Sequence, residues 1–180
     1  MVETGDTTLV IGVGNELFGD EGLGVHVARL LASQPSLPGS VEVIEAGTSL
    51  FDFVPEFPRY SRVILVDAVR AGNPPGTIWR ADSVADLDDE TEATSFLSLH
   101  GWGVVESLHA AKKLGMVPQR LTIIGAEPET TEPGIGLSPT LSQAALRIVA
   151  VIRKEIELLP GPASEKPVAA QLLLPSVLAR

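Results

Sequence analysis

The chain has 180 residues, 44% hydrophobic, 20% charged and 4% aromatic, as expected of one soluble α/β domain able to bury a core. A formal net charge of −10 excludes a basic footprint for nucleic acid and is no better suited to an anionic membrane surface. Without cysteine there can be no disulfide, thiolate metal site or cysteine nucleophile. With neither an export leader nor an apolar run of about 20 residues, a cytoplasmic enzyme or binding protein is expected.

In chain order, "TTLVIGV" (7–13) is a continuous β-branched run and reads as a buried parallel strand. Leu23, Val27, Leu30 and Leu31 then recur at helical spacing up to the stop signal "QPSLPG". "VEVIE" (41–45) alternates as a second strand, and "TSLFDFVPEF" reads as a short helix broken near Pro55. "RVILVD" (62–67) is a third buried strand, followed by the turn-rich "RAGNPPG" and a short fourth strand, "TIWRA". Six carboxylates between Asp82 and Glu92 mark a solvated loop or short helix. "SFLSLH" leads into a helix from about Gly101 to Gly115, and "QRLTIIGAEPE" is a fifth strand. Ser138 followed by Pro139 reads as an N-cap with proline at the first helical position. The helix beyond carries Leu141, Ala145, Ile148, Ile152, Ile156 and Leu159 on one face.

Strands alternating with helices predict a three-layer α/β sandwich, a mostly parallel five-stranded sheet with helices on both faces. The expected domain spans 1–159. Residues 160–180 form a proline-rich tail, disordered or docked through "QLLLPSVL". No internal repeat or interdomain linker is evident. Ligands of such folds bind beyond the carboxyl ends of the strands, which ranks the candidate residues.

"GVGNELFGDEGLG" (12–24) lies at the first strand-to-helix turn and invites reading as a dinucleotide fingerprint. Its spacing fails, because Leu17 stands where the third glycine belongs, although Glu45 ends the second strand where a ribose partner would sit. Asp20 and Glu21 also occupy the helix N-terminus that a phosphate would need. Those two acids serve either as helix-capping charges or as part of a cation site. Asp67 ends the third strand after four apolar residues, where a carboxylate is costly without a partner. His100 lies at another strand-to-helix junction. On a parallel sheet, Glu21, Asp67 and His100 emerge at the same end, as a ligand set for a borderline divalent ion such as nickel or zinc. Weaker candidates are Glu106 with His109, a half-motif read as a solvated pair, and His26, given no role. Ser138 lacks a nucleophile elbow and reads as a cap.

"GVGNELFGDEGLGV", "VILVDAV", "SLHGWG" and "IIGAEPETTEPGIGLSP" resemble, in order and spacing, the blocks of the hydrogenase maturation endopeptidases, from about Thr8 to Glu157. The resemblance implies a cytoplasmic α/β protein that removes the C-terminal extension of a [NiFe] hydrogenase large-subunit precursor after nickel insertion. It implies nickel contacts at Glu21, Asp67 and His100, with Glu45 a candidate fourth participant where the family pattern has aspartate. Nickel would come with the substrate, held by the precursor's thiolates, and the enzyme would need no tightly bound cofactor of its own. Water is the expected nucleophile, with Asp20 or Glu21 taking its proton. The loop "GAEPETTEPGIGLSP" is expected to line the same end of the sheet. A monomer is expected. The alternative is a non-enzymatic metal or nucleotide binder on the same scaffold.

Overall fold

The computed structural model describes residues 7–35, 37–82, 103–157 and 171–173. Strands β1 (Thr8–Val13), β2 (Val41–Gly47), β3 (Arg62–Ala68), β4 (Ile78–Ala81), β5 (Arg120–Ala126) and β6 (Gln171–Leu173) form one sheet in the order β2-β1-β3-β5-β4-β6. Neighbours among β2, β1, β3 and β5 run parallel, whereas β4 is antiparallel to both β5 and β6. The five expected strands are all present. The sheet is extended by β6, which brings residues 171–173 of the tail onto the open edge of β4.

Period-two alternation sorts the strand side chains into two apolar layers. Val10, Ile64, Val66 and Ile124 face helices α1 (Leu23–Ala32) and α3 (Pro139–Glu157), packing on Leu23, Val27, Leu31, Leu141 and Ile148. Leu9, Ile11, Val63, Leu65 and Ile123 face the other way, onto α2 (Val104–Lys113) and a 3-10 helix over Leu50–Arg59. The side chains of both layers are closed to solvent, so each large aliphatic one contributes about 1.5–3 kcal/mol by burial. Among the described residues no helix is long and apolar enough to cross a membrane.

The expected break at Pro55 is absent. The 3-10 helix runs through Pro55 and Pro58 because burial of Leu50, Val54 and Phe57 outweighs the amide donors that proline removes. Helix α2 starts at Val104. Gly101, the acidic stretch from Ser83 to Glu92, Leu159 and most of the tail lie outside the described residues.

The chain leaves β1 for β2 on one side and returns to β3 on the other. A crevice therefore opens between the carboxyl ends of β1 and β3, the switch point where such sheets bind ligands. Glycine lets α1 descend into it. A Cβ on Gly24 would lie 2.1 Å from the Val66 carbonyl oxygen and 2.2 Å from that of Val13. One on Gly12 would lie 2.0 Å from the Gly24 carbonyl oxygen.

Candidate active site at the β1–β3 crevice

The glycine-rich turn does not cradle an anion. Its amides are already engaged within the protein: Gly14 donates to the Gly47 carbonyl, Asn15 to Glu21, Leu17 to the Asn15 side chain and Phe18 to the Asn15 carbonyl. Those of Gly19, Asp20 and Glu21 donate to the carbonyls of Gly134, Thr130 and Phe18. A phosphate would find few free donors here and two carboxylates close by. The glycines serve close packing instead. Gly14 has φ of +147°, and a Cβ there would come within 2.0 Å of the Glu21 carbonyl oxygen.

Asp20 and Glu21 sit on a single 3-10 turn, Gly19–Gly22, yet meet different surroundings. Asp20 is fully buried and accepts four hydrogen bonds. Its Oδ2 takes the amides of Glu129 (2.9 Å) and Thr130 (3.0 Å) and the Ser138 hydroxyl (3.0 Å), and Oδ1 takes the Ser138 amide (2.7 Å). Glu21 is half-buried at the mouth of the crevice. Across from it Asp67, at the end of β3, is only 2% exposed. Among the described residues its one hydrogen bond comes from the Ala68 amide, at 2.8 Å.

Burial pushes the Asp67 carboxyl well above the ordinary range for an aspartic acid; the Ala68 amide opposes the shift and the nearby negative charge of Glu21 adds to it. A buried, under-bonded carboxylate beside a second carboxylate is an arrangement that a cation relieves. The two residues fit as oxygen ligands to a divalent ion.

The structure thus brings Glu21 and Asp67 together. His100, the third residue of the expected set, lies outside the described residues, and among those that are described no cluster of three metal-ligating side chains occurs. Glu45, weighed as a ribose or metal partner, is exposed at the end of β2 and pairs with Arg29 at 2.6 Å. Arg29 also binds Glu16 at 2.7 Å. Ser138 caps α3 as expected, its hydroxyl accepting from the Leu141 amide at 3.2 Å. His26 is half-buried on α1, while Glu106 and His109 lie on α2.

One residue escaped the sequence reading. Glu127, immediately after β5 and 6% exposed, accepts the amides of Ala71 (2.8 Å), Gly72 (3.2 Å) and Asn73 (3.2 Å) and so ties down the loop after β3. The signal that singled out Asp67, a carboxylate directly following a buried strand, marks Glu127 too.

Fold and crevice together define an α/β protein that presents two carboxylates, Glu21 and Asp67, at the ligand end of its sheet. The sequence model of the hydrogenase maturation protease family matches residues 25–155, a span that includes Asp67 and His100 and begins just after Asp20 and Glu21. The chain is 34% identical over 160 residues to the hydrogenase 2 maturation protease of Escherichia coli strain K12, covering 84% of this chain and 94% of that protein. Among solved structures it resembles the hydrogenase 2 maturation peptidase of a Thaumarchaeota archaeon, with TM-score 0.65, 32% identity, and coverage of 85% and 99%. The hydrogenase maturating endopeptidase HybD of E. coli is similar as well, with TM-score 0.66, 30% identity, and coverage of 83% and 93%. The chain belongs to the hydrogenase maturation protease family. It is an endopeptidase, a peptide-bond hydrolase.

Proposed function

We propose that this endopeptidase removes the C-terminal extension of a [NiFe] hydrogenase large-subunit precursor once nickel has been inserted, using the precursor-borne nickel as its recognition handle. The observation that carries this reading is the state of Asp67: buried, held by one amide among the described residues, and facing the charge of Glu21 at the switch point of the sheet. Such a pair gains most from a cation delivered by the substrate. Glu21, Asp67 and His100 dock onto nickel that the precursor's thiolates already hold, so the enzyme has no tightly bound metal of its own. The metal orients the precursor and polarises the scissile carbonyl, and water is the nucleophile. Glu21, the more accessible of the two carboxylates, takes the proton from that water on its carboxylate oxygen that does not face nickel and passes it to the leaving amine. In this reading the enzyme acts as a monomer in the cytoplasm.

Co-incubation with nickel-loaded and nickel-free precursor tests the proposal. Shortening of the loaded form alone is expected; equal processing of both forms would overturn the role of nickel, and processing of neither would overturn the assignment of substrate.

A further inference from the structure

Asp20 is a poor candidate for touching substrate, since its two oxygens already receive four donors, about as many as a carboxylate can accept. Those donors come from both ends of a single loop. Glu129 and Thr130 open the segment that leaves β5, and Ser138 closes it at the cap of α3. One side chain therefore cinches the loop shut and holds it on the glycine-rich turn. Backbone bonds continue the seam: the Asp20 amide donates to the Thr130 carbonyl (3.1 Å), Gly19 to Gly134 (2.8 Å) and Gly134 back to Leu17 (2.9 Å). The residue following Asp20 is Glu21, whose amide donates to Phe18 and whose carbonyl accepts from Asn15. With its main chain fixed on both sides, Glu21 has a defined place opposite Asp67.

We propose that Asp20 is a positioning residue, a carboxylate clasp that, with Ser138, fixes the 129–138 loop against the turn and thereby sets Glu21 at the crevice. The inference rests on the functional reading above, and it removes Asp20 from the candidates for proton acceptor. The chemistry requires a carboxylate. Asparagine would turn its amide group, itself a donor, either on the Glu129 and Thr130 amides or on the Ser138 amide, and one end of the clasp would be lost.

The test compares Asp20→Asn, Ser138→Ala, Ser138→Thr and the double variant Asp20→Asn/Ser138→Ala. Each is assayed on nickel-loaded precursor at a temperature where circular dichroism shows it folded. A clasp predicts that kcat/KM falls about 100-fold for Asp20→Asn, as for a reacting group displaced by about 1 Å, and about tenfold for Ser138→Ala. Ser138→Thr, which keeps the hydroxyl, restores activity. The double variant is little worse than Asp20→Asn alone, because both changes open the same clasp. The residual activity of Asp20→Asn keeps the wild-type pH profile. If Asp20 were itself the proton acceptor, Asp20→Asn would lose the acid limb of that profile and Ser138→Ala would retain full activity; either result overturns the inference. A wild-type protein inert towards nickel-loaded precursor would instead overturn the functional reading beneath it.

Discussion

The two ends of the sheet hold buried charge in opposite ways. At the amino end Arg62, 7% exposed, meets the half-buried Glu155 in an ion pair and also donates to the Glu155 carbonyl at 2.9 Å. Arg80 joins Glu155 at 3.1 Å and Asp82 at 2.9 Å, and Asp82 accepts from Thr122 at 3.0 Å. Two positive and two negative groups are thus brought together. At the carboxyl end the described acids differ among themselves. Asp20 and Glu127 have their oxygens satisfied by backbone amides, whereas Asp67 lies within reach of the Glu21 charge. Buried charges that serve stability arrive with their partners. Asp67 has one such partner among the described residues, the Ala68 amide, and lies at the switch point where sheets of this kind take ligands.

The largest effect should separate the two ends most clearly. Asp67→Asn is expected to reduce precursor processing by about 100- to 1,000-fold, the loss when one essential electrostatic group is removed. The stability of the same variant relative to wild type should increase as pH rises. The sign follows from the raised carboxyl: the folded protein keeps the Asp67 proton to higher pH than the unfolded chain, whose ordinary value is 3.8. The stability this group contributes is complete below that value and is lost as pH rises through the folded one. Urea titrations across the acid-to-neutral range should therefore show wild type losing stability relative to Asp67→Asn as pH increases. A variant less stable at neutral pH than in acid, relative to wild type, would contradict the contrast.

The amino end should give the reverse pattern. Arg62→Ala is expected to destabilise the fold by about 1.5–3 kcal/mol, since Glu155 keeps Arg80 but loses the charged hydrogen bonds from Arg62, while kcat/KM per folded molecule stays at the wild-type level. Chemical denaturation and assays of the folded fraction check the two halves of this statement. Arg29→Ala should have the smallest effect. Its side chain is 53% exposed and its partners Glu16 and Glu45 are 46% and 41% exposed, so a loss of about 0.5 kcal/mol or less is expected. Unchanged processing in this variant would also separate Glu45 from the site.

Much of this contrast was legible in the residues. The apolar runs of β1, β3 and β5 identify a parallel sheet, and a carboxylate closing such a run, as at Asp67, has no local compensation and so points to the ligand end. The partners of Asp20 could not be read locally, because Glu129, Thr130 and Ser138 lie 109, 110 and 118 residues further along the chain. Taken alone the pair Asp20–Glu21 therefore reads first as helix capping and only with Asp67 and His100 as a cation site, and the fold treats the two acids differently: Asp20 is bonded inward and Glu21 lies near Asp67. Glu127 carried the same signal as Asp67, and only its three amide donors distinguish a loop fastener from a ligand. The 3-10 helix through Pro55 and Pro58 shows tertiary burial overriding a local break, and β6 lies where an apolar segment of the tail meets the unpaired edge of β4.

X-ray absorption at the nickel edge, recorded on nickel-loaded precursor before and after the enzyme is added, tests the central claim directly. Docking through Glu21 and Asp67 predicts new oxygen or nitrogen scatterers beside the thiolate sulfurs, weakened when Asp67→Asn protein is used instead. A spectrum unchanged by the wild-type enzyme, or changed equally by the variant, would contradict the account.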